Sequence, residues 1–170
     1  SAAEVVHRHH LVRQHAIGVN FLDVYYRTGL YTLPAGLPLI PGNEAAGIVI
    51  VLGDGVTGLQ IGDRVAYAAT IGAYCEARNI LADRLVKIPD SISDETAAAM
   101  MLKGMTAEML LCRTFPVQKG QTILFHAAAG GVGLIAGQWA NSIGATVIGT
   151  AGSPEKADLA RKNGYHHVIE

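Results

Sequence analysis

The most informative pattern of apolar and polar positions lies in residues 121–153, which contain no Asp, Glu, Lys or Arg. The apolar run at residues 123–125 predicts a buried strand, and residues 145–151 predict a second one. Between them, Ile135, Trp139 and Ile143 recur every four positions, which predicts one face of a helix. Gly144 is a favourable residue at which to end that helix. The predicted order is strand, turn of small residues, helix and strand.

The turn before this helix has the spacing Ala128-x-Gly130-x-x-Gly133. In a dinucleotide fingerprint the first small residue makes a tight turn, the second leaves room for the pyrophosphate, and the third lets the helix approach the sheet. The first helical amides, at Gly131 and Val132, would then face a phosphate with the help of the helix dipole. We therefore predict a dinucleotide site at these five residues. The alternative is a tight turn without a ligand; a membrane span fits less well, because glycines interrupt the apolar run.

The end of the second strand, Thr150-Ala151-Gly152-Ser153, bears on which dinucleotide is bound. Units that bind NAD usually carry an acidic residue there, which holds the ribose 2′-hydroxyl. This segment has no acid, whereas Ser153 and Lys156 supply a hydroxyl and a cation suited to a 2′-phosphate. We predict NADPH as the cofactor, with Gly152, Ser153 and Lys156 beside its 2′-phosphate. The alternative is that Ser153 only caps the helix that begins near Pro154 and that Lys156 is solvated; capping and phosphate binding are compatible.

Residues 1–100 show a different pattern, in which short apolar runs follow one another closely and are separated by glycine turns. After an apolar run at residues 11–19, they predict the strands of a small β-barrel or sandwich at residues 48–52, 65–68, 73–78 and 85–88. A helix is predicted after Ser93, and its helical character continues to Phe115, before Pro116. The predicted fold class is α/β plus β, with a β-rich part over residues 1–100 and the first half of a doubly wound parallel sheet over residues 101–170.

Composition and charge narrow the classes of function. The chain has 170 residues and a net charge of −1, which favours neither a nucleic-acid partner nor a membrane. Cys75 and Cys112 lie far apart and imply no disulfide framework, so a reducing, cytoplasmic setting fits, and no signal peptide is visible. Because a doubly wound domain needs more strands than residues 101–170 supply, we expect a fragment of a longer chain.

Two groups of side chains allow more than one interpretation. Four histidines near the start, at His7, His9, His10 and His15, could suggest a metal site. No carboxylate or cysteine pattern accompanies them, and a solvated strand and turn is the simpler explanation, so we predict no metal. Residues 20–31 mix aromatic side chains with Asn, Asp and Arg. They could line a pocket for a flat ring or form a plain helix with a polar face.

Five motifs follow one another along the chain: Asn20-Phe21-x-Asp23, Gly42-x-Glu44-Ala45-Ala46-Gly47, Gly62-Asp63-Arg64-Val65, Leu102-Lys103-Gly104-Met105-Thr106 and the glycine turn that starts at His126. As a set they resemble the zinc-free quinone oxidoreductases, the zeta-crystallin-like branch of the medium-chain dehydrogenase/reductases. The resemblance implies a GroES-like catalytic domain at residues 1–100 and a Rossmann NADPH-binding domain at residues 101–170. It also implies NADPH-dependent reduction of a quinone and a homodimer of the full-length chain.

The same resemblance implies roles for individual residues. In zinc-containing relatives a Cys stands in place of Asn20 and a His in place of Asn43, and neither amide is a usual zinc ligand. Hydride transfer without zinc is therefore implied, and Glu44 is interpreted as a structural hydrogen-bond partner. The implied contacts are Asn20 at the nicotinamide end, Thr106 at the cofactor, and Asn20, Asp23, Tyr25 and Tyr31 at the substrate.

Three questions stay open at this level. Tyr25 could donate a proton to the developing hydroquinone oxygen, or could simply pack in the pocket. The substrate could be an enone or alkenal instead of a quinone, since such reductases share the fold. A third possibility is a nucleotide-binding structural or RNA-binding protein with little turnover, against which the nearly neutral charge argues.

Overall fold

The computed structural model describes residues 7–32 and 36–170 of the chain. The chain divides into two compact units, Ser1–Leu102 and Lys103–Glu170. The first unit holds the β-rich pattern, and the second holds the strand, glycine turn, helix and strand. Each unit has a hydrophobic core of its own.

The first unit is built on an antiparallel sheet. Its strands are β1 (His9–Gly18), β2 (Glu44–Val51), β3 (Arg64–Ala68), β4 (Ala77–Leu81) and β5 (Val86–Lys87), in the spatial order β4-β1-β2-β3-β5. Buried apolar side chains of four neighbouring strands, β4, β1, β2 and β3, contribute to its core, and Val12, Val49 and Val65 are fully buried. The predicted strands were correctly placed except at residues 73–78, since β4 begins only at Ala77.

A hydrogen-bonded loop replaces the first part of that predicted strand. Gly72 has a φ of +109°, a left-handed conformation that strands exclude. The N–H groups of Gly72 and Ala73 donate to the carbonyl of Gly42 at 2.9 and 3.1 Å, and that of Tyr74 donates to Pro41 at 2.9 Å. Because these donors are used by a segment distant in sequence, the apolar run does not join the sheet there.

Two helices begin in the first unit. Helix α1 spans Phe21–Arg27, and α2 spans Asp94–Glu108 and continues as a π-helical segment at Met109–Thr114. The side chain of Ser93 accepts the N–H of Thr96 at 3.2 Å, as a helix cap does. The predicted helical stretch after Ser93 is thus confirmed.

The second unit has the predicted alternation of strands and helices. Strands β6 (Thr122–Phe125), β7 (Thr146–Thr150) and β8 (His167–Ile169) form a parallel sheet in the order β6-β7-β8. Helices α3 (Gly131–Ile143) and α4 (Pro154–Lys162) are its crossovers. Gly144 ends α3 with a φ of +90°, as predicted.

Small residues allow close packing in this unit. A Cβ added at Gly137 or Gly149 would lie 2.2 or 2.6 Å from the ring of Tyr165. The hydroxyl of Tyr165 donates to the carbonyl of Gly133 at 2.8 Å. This contact ties the segment before β8 to the first turn of α3.

The described residues include no helix long and apolar enough to cross a membrane. Cys75 and Cys112 are both free thiols, which agrees with the absence of a disulfide pattern in the sequence.

Candidate functional site

The glycine turn leaves β6 by a backbone conformation that few residues adopt. Ala127 has a φ of +52°, and its carbonyl accepts the N–H of Gly130 at 2.8 Å. Ala128 is fully buried, and its N–H donates to the carbonyl of Thr150 at 2.9 Å. The predicted tight turn is therefore formed by Ala127 and Ala128 together.

The amino end of α3 is open to a ligand. Gly130 is the N-cap residue, and no side chain caps the helix there. Gly130 and Gly131 are exposed and Val132 is half-buried, so the first amides of the helix, which lack intrahelical acceptors, lie at the surface. This end of the helix therefore fits an anionic group such as a phosphate.

Gly133 has a structural reason to be glycine. It is buried, and an added Cβ would lie 2.4 Å from the carbonyl oxygen of Ala127 and 2.6 Å from that of Ala128. Gly130 tolerates an added Cβ better, with its nearest neighbour, the Ala127 oxygen, at 3.0 Å. The two glycines thus serve close packing and surface access, respectively.

Thr150, at the end of β7, is a part of the turn that the sequence analysis did not single out. Its Oγ1 accepts the N–H of Ala127 at 3.2 Å and lies 3.2 Å from Nδ1 of His126. Thr150 therefore fixes the turn across two neighbouring strands. A hydroxyl residue at a strand end was visible in the sequence, but its partner was not.

The predicted 2′-phosphate residues lie at the start of α4. Gly152 and Lys156 are exposed, and Ser153 is half-buried. The hydroxyl oxygen of Ser153 accepts the N–H of Lys156 at 3.4 Å, so the capping alternative is realised. A hydrogen bond from Ser153 also lowers the pKa of Glu155. A carboxylate thus stands beside the serine, and its charge opposes a phosphate; the sequence analysis did not weigh this.

In the first unit, Asp23 is the centre of a buried hydrogen-bond network. It is 6% exposed and accepts three donors: the N–H of Asn20 at 3.0 Å, Nδ2 of Asn43 at 2.8 Å and the hydroxyl of Tyr74 at 3.0 Å. The first of these caps α1. Asp23 therefore has an evident structural role, and its predicted contact with substrate stays a prediction.

Tyr74 was missed by the sequence analysis, because its partner lies 51 residues away. Burial, the hydrogen bond to Asp23 and the negative charge of that carboxylate raise the pKa of Tyr74 to about 12. The phenol therefore stays protonated at neutral pH and acts as a donor to Asp23.

Asn20 is held by a second carboxylate. Its Nδ2 donates to Oε1 of Glu44 at 2.7 Å, and Oε2 of Glu44 accepts the N–H of Leu102 at 2.7 Å. Glu44 is fully buried. The interpretation of Glu44 as a structural hydrogen-bond partner agrees with this geometry.

The aromatic side chains of residues 20–31 form a cluster on and beside α1. The ring centroid of Tyr31 lies 5.4 Å from that of Tyr25 and 5.9 Å from that of Tyr26. Phe21 is 77% exposed, and its ring lies 6.4 Å from that of Tyr25. The segment therefore forms a helix, as one interpretation expected, and the pocket for a flat ring stays a prediction. Thr106 is half-buried within α2.

The histidines are used separately. Nδ1 of His9 meets the carbonyl of His7 at 2.9 Å, Nδ1 of His10 accepts the N–H of Gly53 at 3.2 Å, and Nδ1 of His15 lies 2.8 Å from Asp94. In residues 7–32 and 36–170 no three His, Cys, Asp or Glu side chains are grouped so that they could hold a metal.

An antiparallel GroES-like sheet followed by a parallel sheet with a glycine turn defines the class of the medium-chain dehydrogenase/reductases. Two family models match the chain: the alcohol dehydrogenase GroES-like domain over residues 7–118 and the zinc-binding dehydrogenase over residues 131–170. The chain belongs to the alcohol dehydrogenase GroES-like domain family.

Individual members of this class are also similar to the chain over most of its length. A quinone oxidoreductase of Pseudomonas aeruginosa is 54% identical over 160 residues, which cover 94% of this chain and 49% of that protein. A 2-haloacrylate reductase of a Burkholderia species is 47% identical over 163 residues, covering 93% of this chain and 49% of that one. The structure of Escherichia coli quinone oxidoreductase complexed with NADPH superposes with a TM-score of 0.96 at 48% identity, covering 100% of this chain and 52% of that one.

These matches confirm the resemblance to quinone oxidoreductases that the motifs indicated. The chain spans about half the length of the curated relatives it matches.

Proposed function

We propose that the protein is an NADPH-dependent quinone reductase. The observation that supports this most directly is the open, uncapped amino end of α3 at a turn whose buried Gly133 leaves no room for a side chain. Such an end binds phosphate groups. Quinone oxidoreductase is also the name of a relative that is 54% identical.

NADPH supplies a hydride to the quinone when it is bound, and the hydride with one proton converts the quinone to a hydroquinone. The residues of this chain bind and orient the two molecules. We assign the phosphate end of the cofactor to the glycine turn with Ser153 and Lys156, its nicotinamide end to Asn20, and a further contact to Thr106. Holding the reacting atoms in register accounts for much of the acceleration in such reactions.

The aromatic cluster is the proposed contact for the flat quinone ring. The rings of Tyr25 and Tyr31 lie 5.4 Å apart, a spacing typical of aromatic pairs, and Phe21 beside them is 77% exposed. The Tyr25 hydroxyl is our candidate for the group that gives the proton to the quinone oxygen. Tyr25→Phe should therefore lower turnover. Tyr26→Phe, on the same helix, is the matched control and should leave turnover unchanged.

We propose that the reaction needs no zinc. Asn20 and Asn43 occupy the positions at which zinc-containing relatives carry ligands, and each uses its side-chain N–H to donate to a buried carboxylate. The nitrogen of an amide has no free lone pair for a metal, and an amide is not a usual zinc ligand. Activity that survives exhaustive treatment with a chelator is the expected result.

A second candidate is the reduction of an activated carbon–carbon double bond. It is favoured by the 47% identity with a 2-haloacrylate reductase. A quinone and an activated alkene both accept a hydride at carbon or oxygen conjugated to a carbonyl, so the same residues could serve either. Comparing initial rates of NADPH oxidation with a quinone and with an alkenal separates the two.

The deciding experiment is a titration of the intact protein with NADPH and NADH, followed by assays with each acceptor. Tighter binding of NADPH and its oxidation by a quinone are expected. Binding without oxidation by either acceptor would instead favour a nucleotide-binding protein with little turnover. We also propose that the full-length protein is a homodimer. Its molar mass, measured by light scattering after size-exclusion chromatography, would test this.

A further inference from the structure

Glu44 is a fully buried carboxylate (0% exposed) that no step of the proposed reaction uses. The fold makes room for it at Gly18, where an added Cβ would lie 2.4 Å from Cγ of Glu44 and 2.3 Å from the carbonyl oxygen of Ala98. A side chain on residue 18 would therefore displace this carboxylate. A charge buried in this way is costly unless its partners compensate.

The partners of Glu44 explain what it does. Its Oε1 accepts Nδ2 of Asn20 at 2.7 Å, and its Oε2 accepts the backbone N–H of Leu102, within α2, at 2.7 Å. A carboxylate that accepts at both oxygens can only face the nitrogen of the Asn20 amide and never its oxygen. Glu44 thus fixes the orientation of the Asn20 amide, with its nitrogen facing the carboxylate.

The backbone of Asn20 is held by hydrogen bonds as well. Its backbone N–H donates to Asp23 at 3.0 Å, and Asn43 and Tyr74 hold Asp23 in turn. The side chain of Asn20 faces the N–H of Asp23 in capping-box geometry, while that N–H donates to the backbone oxygen of Asn20 at 3.0 Å. Glu44 therefore holds the side-chain amide of Asn20, while Asp23 holds the backbone to which that side chain is attached.

We propose that Glu44 is a positioning residue that acts through Asn20 and sets the affinity for the nicotinamide end of the cofactor. The inference rests on the proposed function, which assigns Asn20 to that end. An amide fixed beforehand in one orientation loses no conformational freedom when the cofactor binds. Glu44 needs no contact with the cofactor to have this effect.

The substitutions Glu44→Gln and Glu44→Met remove one or both of the hydrogen-bond acceptors that Glu44 provides. Methionine has a similar length and no strong acceptor, so both N–H donors lose their partner. Glutamine has one acceptor oxygen and one donor nitrogen, so it can serve only one of the two donors. We expect NADPH binding to weaken about tenfold with methionine, the scale of one charge-assisted hydrogen bond, and less with glutamine.

The experiment is calorimetric titration of the intact protein with NADPH and, separately, with 2′,5′-ADP, which has the adenosine and 2′-phosphate but no nicotinamide. The Glu44 variants should bind 2′,5′-ADP like the unmodified protein, because Asn20 does not meet that half. Glu76→Gln, an exposed carboxylate on the same unit, is the matched control and should bind both normally. In a protein that already carries Asn20→Ala, Glu44→Gln should cause no further loss.

Three results would overturn the proposal: unchanged NADPH affinity in both variants, equal weakening for the two ligands, or additive effects of the Asn20 and Glu44 substitutions. If Glu44→Met does not fold, Glu44→Gln and the double substitution carry the test. An unmodified protein that binds neither ligand would refute the proposed function itself, and this inference with it.

Discussion

Gly133→Ala and Gly130→Ala should separate the packing role of the glycine turn from its binding role. At Gly133 the new Cβ would lie 2.4 Å from the oxygen of Ala127 and 2.6 Å from that of Ala128. Both are backbone atoms, so α3 or the turn must move. Overpacking of this kind costs about 3 kcal/mol, which for a chain of this size lowers the Tm by about 6–12 °C.

At Gly130 the backbone, with φ −76° and ψ 167°, suits alanine, and the new Cβ would be 3.0 Å from the Ala127 oxygen. The free energy of unfolding should therefore change by less than about 1 kcal/mol. The exposed methyl would instead stand where we place the pyrophosphate, and NADPH affinity should fall about tenfold or more.

Thermal unfolding without cofactor and calorimetric titration with NADPH measure the two effects separately. Gln138→Ala, at an exposed position of the same helix, controls for substitution as such and should alter neither. An unchanged Tm for Gly133→Ala would show that close approach of helix and turn is not what requires glycine there. Normal NADPH affinity of a folded Gly130→Ala protein would show that the pyrophosphate does not lie over residue 130.

Two further predictions concern charge. Burial acts to raise the pKa of Asp94, but hydrogen bonds from His15 and Arg64 and the charge of Arg64 outweigh it and lower this pKa. The interactions of Asp94 with His15 and Arg64 therefore stabilise the fold above the ordinary carboxyl pKa. Asp94→Asn should lower the Tm at pH 7, and the difference should shrink progressively as the pH falls below about 4. Glu155→Gln removes the carboxylate beside Ser153 and should tighten NADPH binding about twofold to fivefold, with a smaller gain in high salt and none for NADH. An equal gain for NADH would place the 2′-phosphate elsewhere.

The second unit shows how much of a fold local pattern can predict. In residues 121–153 the helix period, the glycine stop and the two apolar runs all agree with the observed elements, because each depends on neighbours in the chain. Residues 73–78 show the opposite case. Their apolar pattern suits a strand, but the N–H groups of Ala73 and Tyr74 donate to the carbonyls of Gly42 and Pro41. Nothing in the local sequence of that segment indicates those partners.

The candidate site likewise has some features that the local sequence predicts and others that only the folded chain determines. The spacing Ala128-x-Gly130-x-x-Gly133 alone indicated a helix with an open amino end and a glycine, Gly133, that must pack closely. Both features depend on a single turn of the chain. The network around Asp23 and Glu44 depended on the folded chain, since its long-range hydrogen bonds join residues 20 to 58 positions apart. Residue type gave each side chain its capacity to donate or accept. The folding of distant segments together determined which donor meets which acceptor, and hence that the buried carboxylate of Glu44 accepts the side-chain amide of Asn20.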